Sequence, residues 1–284
     1  MRLIFLSLFS ILSVCAGSIS AQTAEDSLAI VNTRWQTTVT SDGIVHKRAQ
    51  FQTLYQGNQH INLIEIPRKR KFRFGIGSPG GMKPTSGIAK DNEAIAALNG
   101  SYYNMKNVSS VCFLKMGTEV IDSTTTNEFN SRVTGAVRTY KHKVDILPWD
   151  ATIERGYRGK KGTVLASGPM LLQNGTVCSW EECSESFITT KHPRSALYVT
   201  KDAVVFLTAD GRSPGNAIGV NIPELAHLIR VLGGRDAINL DGGGSTTLWM
   251  GQGENAGVLN CPSDNRKFDH EGERSVSNAI FVRK

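Results

Sequence analysis

The stretch of this sequence richest in chemistry is Asn239-Leu240-Asp241-Gly242-Gly243-Gly244-Ser245-Thr246-Thr247. A strand ending there projects Asp241 at a sheet edge, and three glycines let the following backbone turn tightly and approach a ligand without Cβ atoms in the way. Successive backbone N–H groups in such a turn cradle an anion, and Ser245 and Thr246 add hydroxyl donors. The segment has no P-loop lysine and does not open a helix, so a nucleotide-binding loop is excluded. Taken alone, it is equally a glycine turn closed by an aspartate. Five further segments share its polar character beside a strand: Asn99-Gly100-Ser101-Tyr102-Tyr103, Ser167-Gly168-Pro169, His192-Pro193-Arg194-Ser195, Asp210-Gly211-Arg212 and Glu273-Arg274-Ser275-Val276-Ser277-Asn278. One such segment is an ordinary surface turn; six in one chain predict a shared polar cleft at strand ends. Arg194 offers that cleft a planar fork for phosphate or carboxylate.

The elements that must position these residues are short strands and a few helices. Residues 35–39, 44–48, 51–55 and 59–66 are rich in Thr, Val, Ile and aromatics, are separated by Gly or Asp, and predict strands joined by hairpins. Residues 85–93 suit a short helix leading into a buried strand at 94–98, which ends at Asn99-Gly100. Residues 111–116, 131–139, 164–167, 170–175, 195–199 and 203–208 are further strand candidates. Asn221 with Glu224 forms a capping-box pattern, Leu225, Leu228, Ile229 and Leu232 recur at helical spacing, and Gly233-Gly234 stops the helix before a strand at 237–240. No repeat or linker divides residues 35–284. The expected architecture is one α+β domain with a mixed β-sheet core, a few helices and a polar cleft at strand ends, preceded by a flexible arm at 22–34.

Composition narrows the partners. A chain of 284 residues, 40% of them hydrophobic, can bury a large core without disulfides or metals. Arg2, the uncharged run at 3–14 and Ile19-Ser20-Ala21 form a secretory signal over residues 1–21, with cleavage before Gln22. Ser7, Ser10, Ser13, Gly17 and Ser18 dilute that stretch too far for a membrane span. Lipidation at Cys15 is disfavoured by Val14 just before it. The expected location is secreted or periplasmic. Of the +7 net charge, Arg68, Lys69, Arg70, Lys71 and Arg73 supply five, a local run that argues against nucleic acid as a partner. Cys112, Cys178, Cys183 and Cys261 remain after cleavage and predict disulfides in an exported chain. They lack zinc-type spacing, as do the histidines; His192 is expected to be structural.

In order and content, the quoted motifs resemble the phosphodiester glycosidase family over about residues 85–283, most specifically at Asp241-Gly242-Gly243-Gly244-Ser245-Thr246. The resemblance implies removal of a terminal α-linked N-acetylglucosamine from a sugar phosphodiester, leaving the phosphate on the acceptor. It carries over to Asn99, Arg194, Asp210, Arg212, Asn239, Asp241, Ser245, Thr246, Glu273 and Arg274. Tyr103 stands where the family often has Phe, and Ser195 where Thr is common; neither change removes an ionisable group.

Phosphate departs as a stabilised anion, so groups that hold developing charge can replace much of the acid catalysis usual in glycoside hydrolysis. On that basis Arg194 and Arg274 grip the phosphodiester, helped by the amides of Gly242, Gly243 and Gly244 and by Ser245 or Thr246. Asp241 or Glu273 is the catalytic nucleophile or base, and Asn99 and Asp210 orient sugar hydroxyls. No cofactor is required, although a divalent metal on Asp210, Asp241 and Glu273 is an option. The alternatives are a metal-dependent phosphodiesterase that cleaves the phosphorus–oxygen bond, and a glycan-phosphate binding module without turnover.

Overall fold

A computed structural model describes residues 22–69, 71–106, 109–253 and 256–284; the expected signal at 1–21 lies outside them. Their fold is α+β, with six helices: α1 (Ala24–Asn32), α2 (Thr85–Asp91), α3 (Thr126–Ser131), α4 (Ala151–Gly156), α5 (Glu185–Thr189) and α6 (Ile222–Val231). The largest sheet has eight strands, in the spatial order Gln36–Val39, Val45–Phe51, Gln59–Pro67, Ala203–Ala209, Arg194–Val199, Asp236–Asn239, Met170–Gln173 and Thr176–Val177. A five-stranded sheet runs Gly257–Val258, Leu248–Met250, Ala96–Asn99, Ala279–Arg283, Arg73–Gly77. Another runs Glu119–Asp122, Leu114–Met116, Thr163–Ser167, Gly135–Tyr140, Lys143–Pro148. Among the described residues, neighbouring strands of these sheets pair antiparallel.

The central strands of the eight-stranded sheet are buried on both faces, which explains the near-continuous apolar runs at 196–199 and 203–207. Strand side chains alternate between faces. Leu197, Val199, Val204, Phe206 and Ile238 therefore join a core shared with Leu98, Leu114, Leu165 and Ile280 of the two smaller sheets. Ala196, Tyr198, Val205, Leu207 and Ala237 turn the other way, onto Leu225, Leu228 and Ile229 of α6. The strand, helix, strand unit leaves Ala203–Ala209, crosses through α6 and returns as Asp236–Asn239 with Arg194–Val199 between them. Asn221 caps α6 as its sequence predicts: its Oδ1 accepts from the Glu224 amide at 2.9 Å, and Glu224 accepts from the Asn221 amide at 3.0 Å.

Several local expectations are corrected. Residues 22–34 are not a loose arm. Thr23 and Asp26 form a capping box for α1, Ile30 is 1% exposed against the α6 side of the core, and Asp26 Oδ1 accepts from the Tyr55 amide at 2.9 Å. The strand expected at 51–55 is a 3-10 turn, Leu54–Gln56, because Leu54 and Tyr55 fold inward into that core and Tyr55 takes a φ of 54°. The strand expected at 131–139 begins only at Gly135, since α3 extends to Ser131. Among the described residues the expected disulfides do not form: Cys112, Cys178, Cys183 and Cys261 are free, with Cys112 in the buried cluster of Tyr102 and Trp149 and Cys261 buried near Asp210. Among the described residues no helix is long and apolar enough to cross a membrane.

Candidate active site

Strands from all three sheets end at one place, and buried side chains lace those ends together. The Asn99 amide group donates to the Asp241 carbonyl at 2.7 Å, while its Oδ1 accepts from Ser195 Oγ at 2.6 Å and the Thr247 amide at 3.1 Å. Ser167 Oγ donates to the Asn239 carbonyl at 3.1 Å, and Ser101 Oγ to the Ala166 carbonyl at 2.6 Å. Asn239 donates to Tyr102 Oη at 2.9 Å and to the Gly168 carbonyl at 2.8 Å; the Gly168–Pro169 peptide is cis. Asn99 and Asn239 are fully buried. Their amide hydrogen bonds therefore hold the floor of the site rather than reach a sugar hydroxyl.

Asp241 stands on that floor, half-buried, with Oδ1 accepting from the Gly242 amide at 2.9 Å. Burial raises its carboxyl above the usual range; the Ser245 hydroxyl, Arg132, the Gly242 amide and Arg274 pull in the opposite direction. Tyr103 Oη meets Ser245 Oγ at 3.2 Å and donates to the Ser275 carbonyl at 3.2 Å, fixing the serine beside the carboxylate.

Two guanidinium groups lie against the glycine turn. A Cβ on Gly243 would sit 2.8 Å from Arg212 Nη2, and one on Gly244 would sit 2.6 Å from Arg274 Cζ. The absence of side chains thus lets cations, as well as ligand, approach the backbone. Arg274 is oriented by Asp264, whose Oδ1 accepts from Nε at 2.8 Å and from Nη2, and this pairing raises the Arg274 pKa. Ser245 and Thr246 follow in the turn and are buried; the Ser245 hydroxyl faces Tyr103 and Asp241, whereas the Thr246 hydroxyl is buried without a partner.

Three expected site residues are engaged elsewhere. Arg194 is 2% exposed, and it donates through Nε to the Val220 carbonyl at 3.2 Å and through Nη2 to the carbonyls of Phe187 and Thr190, each at 2.9 Å. Burial lowers its pKa to about 10. It is a structural clamp whose charge is felt in the site. Glu273 accepts from the Ser86 amide and from Ser86 Oγ, both at 2.6 Å, so its two oxygens hold the first turn of α2. Asp210 accepts from His60 Nδ1 at 2.7 Å, Asn260 Nδ2 at 2.9 Å and the Cys261 amide at 3.1 Å. Asp210, Asp241 and Glu273 hold these separate partners and do not form the metal triad considered from sequence.

The site also contains residues that no motif indicated. Arg132, just past α3, lies 3.7 Å above the Tyr102 ring and pairs with Glu128 through Nε at 2.7 Å and Nη2 at 3.0 Å. It acts electrostatically on Asp241. Arg132 lines a cleft of about 440 Å³ with Asn127, Ser131, Phe187 and His192. A second cleft, of about 530 Å³, shares Asn127 with the first and is lined by Tyr103, Met105, Val111 and Glu128. Burial lowers the His192 pKa, and the charges of Arg194 and Arg212 lower it further. His192 was legible inside its motif but not as a cleft residue.

Chemically, the arrangement offers one poised carboxylate and three nearby cations, a set suited to an anionic leaving group; the amides of Gly242 and Gly243 do not form the expected anion cradle, because they donate to Asp241 Oδ1 at 2.9 Å and to the Pro193 carbonyl at 2.8 Å. No curated protein matches the sequence. Among solved structures the chain is similar to a hypothetical protein from Synechocystis, with 17% identity, a TM-score of 0.66, and coverage of 88% of this chain and 64% of that one. It is also similar to the catalytic domain of zebrafish N-acetylglucosamine-1-phosphodiester alpha-N-acetylglucosaminidase, auto-inhibited by its pro-peptide, at 16% identity, a TM-score of 0.64, and 89% coverage of each chain. These likenesses show a shared fold. The family model for phosphodiester glycosidases matches residues 92–283, more than half of the sequence and all six motifs at 99–278, and the chain belongs to that family.

Proposed function

We propose that this protein is an exported hydrolase that cleaves the bond between an α-linked sugar, N-acetylglucosamine or a close relative, and phosphate in a sugar phosphodiester. The observation that carries this reading is the Asp241 carboxyl on a glycine turn, within the electrostatic reach of both Arg132 and Arg274, the latter lying against Gly244. The activity named for the zebrafish protein of similar fold supports the choice of substrate class. Arg212 and Arg274 hold the phosphate over Gly243 and Gly244, and Arg132 faces the sugar side of the cleft. Asp241 delivers the attack at the anomeric carbon.

The bond between C1 and the phosphate oxygen breaks, and its electron pair leaves with the phosphate. The oxygen of water ends on C1, and the phosphomonoester stays on the acceptor. Because that leaving group carries its own charge, the guanidinium cluster replaces the second carboxyl acid of ordinary glycosidases. The anomer released first reports the route: retention if Asp241 bonds to C1, inversion if it activates a water. Incubation with a panel of sugar 1-phosphodiesters tests the reading. Free sugar and a phosphomonoester are expected; sugar 1-phosphate would assign the protein to phosphorus–oxygen cleavage, and binding without product to a non-catalytic module. Export is checked separately: the amino-terminal residue of the mature protein is expected to be Gln22.

A further inference from the structure

A second cluster of ligating side chains lies outside the machinery assigned to Asp241. His60 in strand Gln59–Pro67, Asp210 after strand Ala203–Ala209 and Cys261 after strand Gly257–Val258 are all buried. They offer a ring nitrogen, a carboxylate oxygen and a sulfur within 4.8 Å of one another. Among the described residues this is the one group of three such side chains so placed. We propose that His60, Asp210 and Cys261 bind a zinc ion whose role is to hold two loops of the cleft together.

The donor set selects the ion. Imidazole and thiolate beside one carboxylate suit zinc, whereas calcium and magnesium take oxygen ligands. The ion, one thiolate, one carboxylate and a neutral imidazole sum to zero charge, which a buried site tolerates. On binding, the Cys261 thiol proton leaves to solvent, the His60 ring takes the tautomer protonated at Nε2 so that Nδ1 is free to ligate, and the ion takes the place of the hydrogen bond between His60 and Asp210. With bonds of about 2.0–2.3 Å, tetrahedral ligand atoms stand about 3.3–3.8 Å apart. The 2.7 Å separation of His60 Nδ1 and Asp210 Oδ2 therefore opens by about 0.6 Å or more, and wider pairs draw in.

The surroundings are those of a supported site. Asn260 Nδ2 donates to Asp210 Oδ1 at 2.9 Å and so fixes the carboxylate, and the His60 ring stands edge-on to Phe268 at 5.5 Å. His60 also lines a cleft of about 430 Å³ with Arg34, Gln36, Arg48 and Gln50. That cleft gives an entry path, and its two guanidinium groups suit water or a small anion as the fourth ligand. The ion would tie Asp210, two residues before Arg212, to Cys261, three residues before the Asp264 that orients Arg274.

The test is metal content and spectroscopy on the full mature chain. After incubation with zinc and removal of loosely held metal, one equivalent per chain is expected to remain. Cobalt substitution is expected to give a thiolate-to-cobalt charge-transfer band that Cys261→Ser abolishes and Cys112→Ser retains. Zinc should raise the melting temperature of the wild type but not that of His60→Gln. Failure of the wild type to retain stoichiometric zinc would overturn the proposal whatever the variants do, as would a thiolate band that survives Cys261→Ser. Neither readout depends on the sugar-releasing activity.

Discussion

Asp241 is set apart from the other acids of the motifs by what its oxygens are free to do. Glu273 spends both oxygens on Ser86, and Asp210 spends both on His60, Asn260 and Cys261, but Asp241 has one backbone amide, Ser245 and the cations around it. Asp241→Asn is expected to reduce turnover by about a hundred- to ten-thousand-fold or more with the fold unchanged by circular dichroism. Because burial raises its carboxyl, the acid limb of the activity profile should lie above the ordinary carboxylate range, with activity lost as pH falls through it. Arg132 favours the charged form, so Arg132→Gln should move that limb to higher pH as well as slow turnover, measured by kcat against pH. A limb that stays in place would remove Arg132 from the site. Arg132 had no sequence signal: it follows a helix, residues 126–131, in a region whose pattern predicts a strand, and only the antiparallel placement of 135–140 brings it over Tyr102.

At the scale of elements, the motifs are mostly the joints between strand ends, and their polar groups work as fasteners. This is why the positions of Asn99, Asn239, Asp241 and the glycine turn were legible while several roles were not. A buried amide or guanidinium beside a strand looks the same in sequence whether it binds ligand or a carbonyl, and Arg194 shows it binding three carbonyls. Hairpins, the buried strand expected at 94–98 and found at Ala96–Asn99, and the capped helix at 222–231 followed from local pattern, whereas the inward turn of Tyr55 and the docking of α1 depend on distant partners. Glu273→Gln tests the fastener role: it should cost about 1–3 kcal/mol of stability through weakened charge-assisted bonds to Ser86, with kcat within a few-fold of wild type. A loss of turnover comparable to that of Asp241→Asn would return Glu273 to the chemistry. Gly244→Ala should displace the Arg274 guanidinium, weakening substrate binding, read as a raised KM, more than it weakens the fold.

The described residues form a sheet of eight strands held between helices on one face and two smaller sheets on the other, and the motif residues gather where the three sheets end together. The amino-terminal helix belongs to this body. Ile30 is buried in the helix-side core, so Ile30→Ala should destabilise the protein by about 2–5 kcal/mol, seen in urea unfolding, without altering which bond is cleaved. The basic run near residue 70 contributes most of the net charge, whereas the cations described around Asp241 and its turn are Arg132, Arg212 and Arg274, so the proposed reading has substrate charge met by these three. The central claim is that the attack falls on carbon rather than phosphorus. Hydrolysis of an α-N-acetylglucosamine 1-phosphodiester in oxygen-18 water decides it: mass spectrometry should find the label in the freshly released sugar and none in the phosphomonoester. Label in the phosphate, with the sugar unlabelled, would contradict the account.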